Sequence, residues 1–124
     1  MIEFRVEGTP VPQGSMKVIN GHVIHSQGSA LAQWRSAIAL SARKAGAFPL
    51  KEPMTITMTF TTLKPKTVKR EYPSVPPDLD KLVRAVLDAL TAIAYVDDGQ
   101  VVELYAKKIY GLVPGVKIQV AEKV

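Results

Sequence analysis

Every aspartate of the chain lies between positions 78 and 98: Asp78, Asp80, Asp88, Asp97 and Asp98. Carboxylates gathered this closely can ligate a hard divalent cation. A cation held with open water sites supplies a nucleophilic water near neutral pH and neutralises phosphate oxygens, the two requirements of phosphodiester hydrolysis. A guanidinium at Arg84, between the acids, could bind the scissile phosphate or stabilise charge developing on it. Each acid also has a plain local use. Asp78 can cap a helix, Asp80 and Asp88 can pair with Arg84 one turn away, and Asp97-Asp98 can form a turn before Gly99. Residue type and spacing leave both readings open.

The elements that must position these residues follow from periodicity. Pro76-Pro77 cannot lie inside a helix, so a helix is expected to begin at Asp78 as N-cap and to run over about 79–93. Leu82, Val83, Val86, Leu87, Leu90 and Ile93 share its apolar side, and Asp80, Arg84 and Asp88, at i, i+4 and i+8, share the other. Asp97-Asp98 falls in a turn beyond this helix and meets it only if tertiary structure folds it back. Upstream, residues 2–7 alternate as a strand, and Gly8-Thr9-Pro10-Val11-Pro12-Gln13-Gly14 breaks regular structure. Lys17-Val18-Ile19 and His22-Val23-Ile24 flank Asn20-Gly21, a type I′ hairpin signal. A first amphipathic helix is expected over about 30–45, with Ser29 as N-cap and a stop at Gly46.

Met54 to Thr61 alternates apolar residues with threonine, the pattern of a half-buried strand. Lys64 to Pro77 carries Lys64, Lys66, Lys69 and Arg70 among four prolines and reads as an exposed connection. Residues 100–110 and 116–120 read as two strands of a terminal hairpin. The expected fold is a single α+β domain over residues 1–124. It has two layers, a mixed and mostly antiparallel sheet of about four to six strands packed against the two helices.

Composition narrows the function classes. The chain has 124 residues and a formal net charge of +5, with basic residues spread from Arg5 to Lys123, so polyanions are plausible partners. It has no cysteine, which removes disulfides, thiolate metal sites and cysteine nucleophiles. His22 and His25 lie three apart in a strand, point to opposite faces and do not suggest a metal pair. No signal-peptide pattern, membrane-length apolar run or nucleotide-binding glycine loop is present, so a cytoplasmic protein without membrane or nucleotide cofactor is expected.

The run from Asp78 to Leu90, Asp-Leu-Asp-Lys-Leu-Val-Arg-Ala-Val-Leu-Asp-Ala-Leu, followed by Tyr95-Val96-Asp97-Asp98-Gly99-Gln100-Val101, resembles the RusA family. Its members are small Mg²⁺-dependent Holliday-junction resolvases found largely in phages and prophages. Gly8-Thr9-Pro10-Val11-Pro12 is similar to the family's amino-terminal loop, and the order of strands and helices agrees along nearly the whole chain.

The resemblance implies that Asp78, Asp80 and Asp98 are catalytic metal ligands, with Asp88 and Asp97 as further acidic positions. It implies Mg²⁺ as cofactor, with Mn²⁺ as a possible substitute, and a homodimer acting on four-way DNA junctions. The family pattern has Asn after the second aspartate and a catalytic Lys three residues beyond. Those positions are Lys81 and Arg84 here. Arg84 keeps the charge but cannot shuttle a proton, which favours phosphate binding, and Lys81 is the alternative source of an ammonium. Lys17, Arg35, Lys64, Lys66, Lys69, Arg70 and Lys81 are the candidate DNA contacts. The other readings are a non-catalytic junction-binding module that keeps the fold and a nuclease for other branched DNA.

Overall fold

A computed structural model describes residues 1–14, 16–19, 21–25 and 28–124, with 16–19 and 22–25 described by backbone alone. The side chains of Lys17, His22 and His25, and residue Asn20, therefore lie outside the described residues.

The most deeply buried strand takes the middle of the sheet. β4 (Met54–Thr62) has β5 (Val101–Tyr110) hydrogen-bonded in parallel on one side and β6 (Gly115–Glu122) antiparallel on the other. β1 (Ile2–Glu7) pairs antiparallel with β6, giving a four-stranded mixed sheet in the order β1-β6-β4-β5. Strand pleating sends successive side chains to opposite faces. Met54, Ile56, Met58 and Phe60 accordingly enter the core, and the intervening threonines line the other face of the sheet.

The expected terminal hairpin does not form, because β4 separates β5 from β6. Both hydrogen-bonding edges of β4 are taken, and the 111–114 link crosses its end. There the Gly111 N–H donates to the Thr62 carbonyl, and a Cβ on Gly111 would stand 2.6 Å from the Thr61 methyl. Alternation identified the two strands and did not identify their neighbours.

The expected hairpin does form upstream. β2 (Met16–Ile19) and β3 (His22–His25) make a separate two-stranded sheet, with Gly21 at a positive φ in the turn between them.

Helix α1 spans Gly28–Lys44 and buries Leu31, Trp34, Ile38 and Ala42. It begins earlier than expected, so Ser29 lies inside the helix and is not its N-cap. Helix α2 spans Leu79–Leu90, three residues short of the expected end at 93. Thr91 is extended and Ala92 takes a left-handed φ of 67°, which reverses the chain. Ile93 keeps its place against the core through this turn, so apolar periodicity outlasts the helix.

The two helices pack on each other, α1 against β1 and α2 against β5, and together cover one face of the sheet. Among the described residues no helix is long and apolar enough to cross a membrane.

Close backbone packing at the β1–β6 pair generates a stability prediction. A Cβ on Gly115 would run into the Val6 carbonyl oxygen, and neither backbone can yield cheaply. Gly115→Ala is expected to cost about 2–3 kcal/mol and to lower the thermal midpoint by roughly 10 °C in circular dichroism. Gly28→Ala, where the added methyl meets nothing within 4 Å, is the control and should leave the midpoint unchanged or slightly raised.

Candidate active site

Helix α2 presents Asp80, Arg84 and Asp88 in one row because the opposite side is taken up by the core. Leu82, Val83, Ala85, Val86, Ala89 and Leu90 are all buried. Asp78 occupies the N-cap position, yet its carboxylate makes no capping hydrogen bond. Among the described residues Arg84 forms no ion pair with Asp80 or Asp88. Among the described residues, neither the cap at Asp78 nor the pairing of Arg84 with Asp80 or Asp88 is therefore formed.

Asp98 joins the row through tertiary contacts. After the reversal at Ala92, the Ala92 N–H donates to the Tyr95 carbonyl at 2.7 Å. The fully buried Tyr95 ring then sends its hydroxyl to the Leu87 carbonyl at 2.8 Å. That carbonyl also accepts from the Thr91 N–H and the Thr91 hydroxyl, so three donors converge one residue before Asp88. Burial, reinforced by the negative charges of Asp98 and Asp88, holds the Tyr95 hydroxyl well above its ordinary pKa and keeps it a donor.

Residues 94–96 are also stitched to Leu50. The Leu50 N–H donates to the Ala94 carbonyl, and the Val96 N–H donates to the Leu50 carbonyl. Gln100 completes the anchor by donating its Nε2 to the carbonyls of Leu50 and Glu52, both at 2.9 Å.

Asp97 has a structural task in this turn. Its carboxylate accepts from the Gly99 N–H at 2.9 Å, and its own N–H donates to the Gln100 side chain at 2.8 Å, closing a capping box around the short 3-10 helix Asp98–Gln100. Asp98 is the first residue of that helix and stays exposed.

The result is a solvent-open cleft of about 190 Å³ lined by Asp80, Val83, Arg84, Leu87, Asp88 and Asp98. Asp78 and Asp97 are not among its lining residues. Asp88 is. The larger cavity, about 510 Å³, is apolar and lined by residues such as Phe48, Met54 and Val120, and it holds none of the five aspartates.

The donor set is entirely oxygen, which suits Mg²⁺ or Mn²⁺ over softer metals. Among the described residues no three acidic side chains stand close enough to surround one ion. Mg²⁺ is commonly held by one or two carboxylates and completes its shell with water and phosphate oxygens, so a pair from this cleft fits it.

The basic candidates divide into two groups. Lys64 and Arg70 converge on Tyr110 at the end of β5. The Lys64 ammonium stands 5.9 Å from the ring centroid, and Arg70 Nε donates to the hydroxyl at 3.0 Å. Lys66 and Lys69 are exposed on the same connection. Arg35 is half-buried on α1, well apart in sequence. Lys81 lies in the first turn of α2, where its carbonyl accepts from the Gln13 N–H at 3.0 Å and ties the glycine- and proline-rich loop to the helix.

Sequence reasoning missed Tyr95 and Lys108. The Lys108 ammonium donates to the carbonyls of Val75 and Pro77, both at 2.9 Å, and so fixes the approach to Asp78. Nothing in their spacing marks either residue. The Asp97-x-x-Gln100 capping box, by contrast, was readable.

Removing the Tyr95 hydroxyl leaves the Leu87 carbonyl bonded to Thr91, so Tyr95→Phe should fold. A loss of about 1 kcal/mol is expected, with amide exchange over residues 94–98 rising about fivefold relative to β6.

The family model described as Endodeoxyribonuclease RusA matches residues 7–121. A Bacillus subtilis (strain 168) relative named "Uncharacterized protein YqaN" is 30% identical over 136 aligned positions, covering 98% of this chain and 96% of its own length. With the match running from the last residue of β1 through nearly all of β6, the chain belongs to the RusA endodeoxyribonuclease family.

Proposed function

We propose that the protein is a divalent-metal-dependent endonuclease that resolves four-way DNA junctions by phosphodiester hydrolysis. The observation that carries this reading is the single cleft lined by Asp80, Asp88 and Asp98 together with Arg84.

Asp80 and Asp98, with Asp88 beside them, would hold Mg²⁺ or Mn²⁺. The ion would supply an activated water and charge neutralisation at the phosphate. Asp78, two residues before Asp80, would act from the edge of the cleft. Arg84 can hold a non-bridging phosphate oxygen through its planar fork and offset the charge that develops there. Lys64, Lys66, Lys69 and Arg70 extend the positive surface beyond the cleft and suit the DNA backbone, whose recognition depends on phosphate geometry rather than base sequence. Lys17, Arg35 and Lys81 are the remaining proposed contacts.

A four-way junction has approximate two-fold symmetry, and paired nicks require two equivalent sites, so a homodimer is part of the proposal. A bacterial cytoplasm, with a phage or prophage source for the gene, is the setting that this activity suits.

The test is cleavage of a synthetic four-way junction by the purified protein. Asp80→Asn and Asp98→Asn should each lower the Mg²⁺-dependent rate at least about 100-fold and leave junction binding nearly intact. Asp88→Asn should cost more than Asp97→Asn, whose carboxylate is committed to the turn. Unchanged rates in Asp80→Asn would sink the proposed site. A panel of junction, flap and linear duplex checks the substrate. Replacing Lys66 and Lys69 with alanine should weaken binding to all branched substrates alike and reduce the salt slope by about 1 for each phosphate that is no longer neutralised.

A further inference from the structure

All four prolines of the connection between β4 and α2, Pro65, Pro73, Pro76 and Pro77, line one pocket of about 190 Å³. A proline ring is rigid and carries no backbone N–H, so such walls are flat, apolar and without donors of their own. Tyr110, half-buried at the end of β5, supplies an aromatic wall. Arg70 and Lys108 are the only charged residues lining the pocket among the described residues, and both are positive.

Hydrogen bonds fix these parts relative to one another. Arg70 Nε donates to the Tyr110 hydroxyl at 3.0 Å, which holds the guanidinium at the edge of the ring. Lys108 Nζ donates to the carbonyls of Val75 and Pro77, both at 2.9 Å, which holds the proline wall against β5. Among the described residues neither cation is in an ion pair, so no carboxylate offsets their charge. The Lys64 ammonium, 5.9 Å from the Tyr110 ring centroid, adds a third positive charge without lining the pocket.

A ligand for this pocket must be flat and apolar where it meets the rings and anionic where it meets the cations. A nucleotide is built in that way: its base has a π-face that stacks on an aromatic side chain, and its phosphate accepts from a guanidinium. The volume suits a single base and not a base pair. Location agrees with chemistry. Pro77 and Asp80 are three residues apart, so their Cα atoms stand at most about 11 Å from one another. A nucleotide in the pocket is thus close in sequence to the phosphate in the acidic cleft.

We infer that the pocket receives one unpaired nucleotide of the strand being cut, with its base against the Tyr110 ring and its phosphate on Arg70. The inference rests on the nuclease reading above for its substrate, and it adds a base contact to the backbone contacts given there. Extruding a base costs least where pairing and stacking are already incomplete, as beside an opened crossover. A pocket that only an extruded base can fill therefore favours branched DNA over continuous duplex.

The test reads binding in the absence of metal, so cleavage plays no part in it. Junctions carrying a single 5-iodouracil at successive positions around the crossover are irradiated in complex with the wild-type chain. At one position the base should cross-link to the peptide that contains Tyr110. That nucleotide is then made abasic and a binding cycle is measured. Tyr110→Ala should weaken binding of the intact junction about 10-fold and leave binding of the abasic junction within about twofold of wild type. Tyr110→Phe, which keeps the ring, should stay within about twofold on both, and Tyr110→Leu repeats the cycle should the alanine variant fold poorly. Cross-links confined to other residues, such as the exposed Tyr72 or Tyr105, or a Tyr110→Ala loss equal on both junctions, would overturn the inference. A junction that cross-links to Tyr110 and is never cut with any divalent metal leaves the inference standing and removes the nuclease reading instead.

Discussion

Keeping like charges close together is the constraint on which this architecture turns. Two carboxylates about 4 Å apart repel by roughly 1 kcal/mol in water and by several times that at the edge of a protein. Asp80 has some compensation from its place in the first turn of α2, where the helix dipole is positive. Asp88 has none. It lies near the negative end of the same helix, whose last turn contains no basic residue, and Asp98 is brought toward it. That end of the cleft has the greatest appetite for a cation, and Arg84, one turn away, is the only positive side chain lining it among the described residues.

Such an arrangement persists only if the scaffold is stiffer than the repulsion is strong. The stiffness comes from the far side of each element. α2 is anchored by a nearly continuous apolar face, and the Asp98 turn is anchored by the buried Tyr95 ring and by the contacts of residues 94–96 and Gln100 with the Leu50 segment. The hydrogen bond from Tyr95 to the Leu87 carbonyl joins the two anchors directly. Because burial and the neighbouring acids disfavour the phenolate, that donor is retained under any ordinary condition. The same negative charges that the site must tolerate thereby reinforce one of the bonds that holds it.

Much of this was legible in the order of residues. Alternation located every strand of the main sheet, and the apolar face of α2 placed Asp80, Arg84 and Asp88 in one row from spacing alone. What was not legible has a common cause: it depends on contacts between distant segments. β5 and β6 follow one another in sequence, and β4, the most deeply buried strand, separates them by pairing with both. Asp98 lies ten residues from Asp88, but its arrival depends on Leu50, nearly fifty residues upstream. The end of α2 was overestimated because Ile93 remains apolar and core-facing after the helix has stopped. The cleft lining depends on the same kind of contact. Asp88 enters the cleft while Asp78 lies outside its lining, because the turn brings Asp98 toward the C-terminal half of α2 rather than to its cap.

The substitution of a guanidinium for an amine at position 84 bears on how the proposed reaction is completed. Hydrolysis leaves an alkoxide oxygen that must gain a proton, and an arginine does not surrender one at accessible pH. Among the residues lining the cleft, the others that carry charge are the carboxylates assigned above to the cation. The Tyr95 hydroxyl is close at hand but is committed to the Leu87 carbonyl and raised out of the useful range. In the proposed reaction the proton would come from water. Asp80, Arg84 and Asp98 are all exposed, and the cleft is open enough for solvent to reach its floor. Lys81 lies in the first turn of α2, outside the cleft lining. On this account Arg84 divides the task that a lysine could perform alone. In the proposed reaction it would keep the binding and stabilisation of negative charge, for which its planar fork is suited, and would leave proton delivery to the solvent that the open cleft admits.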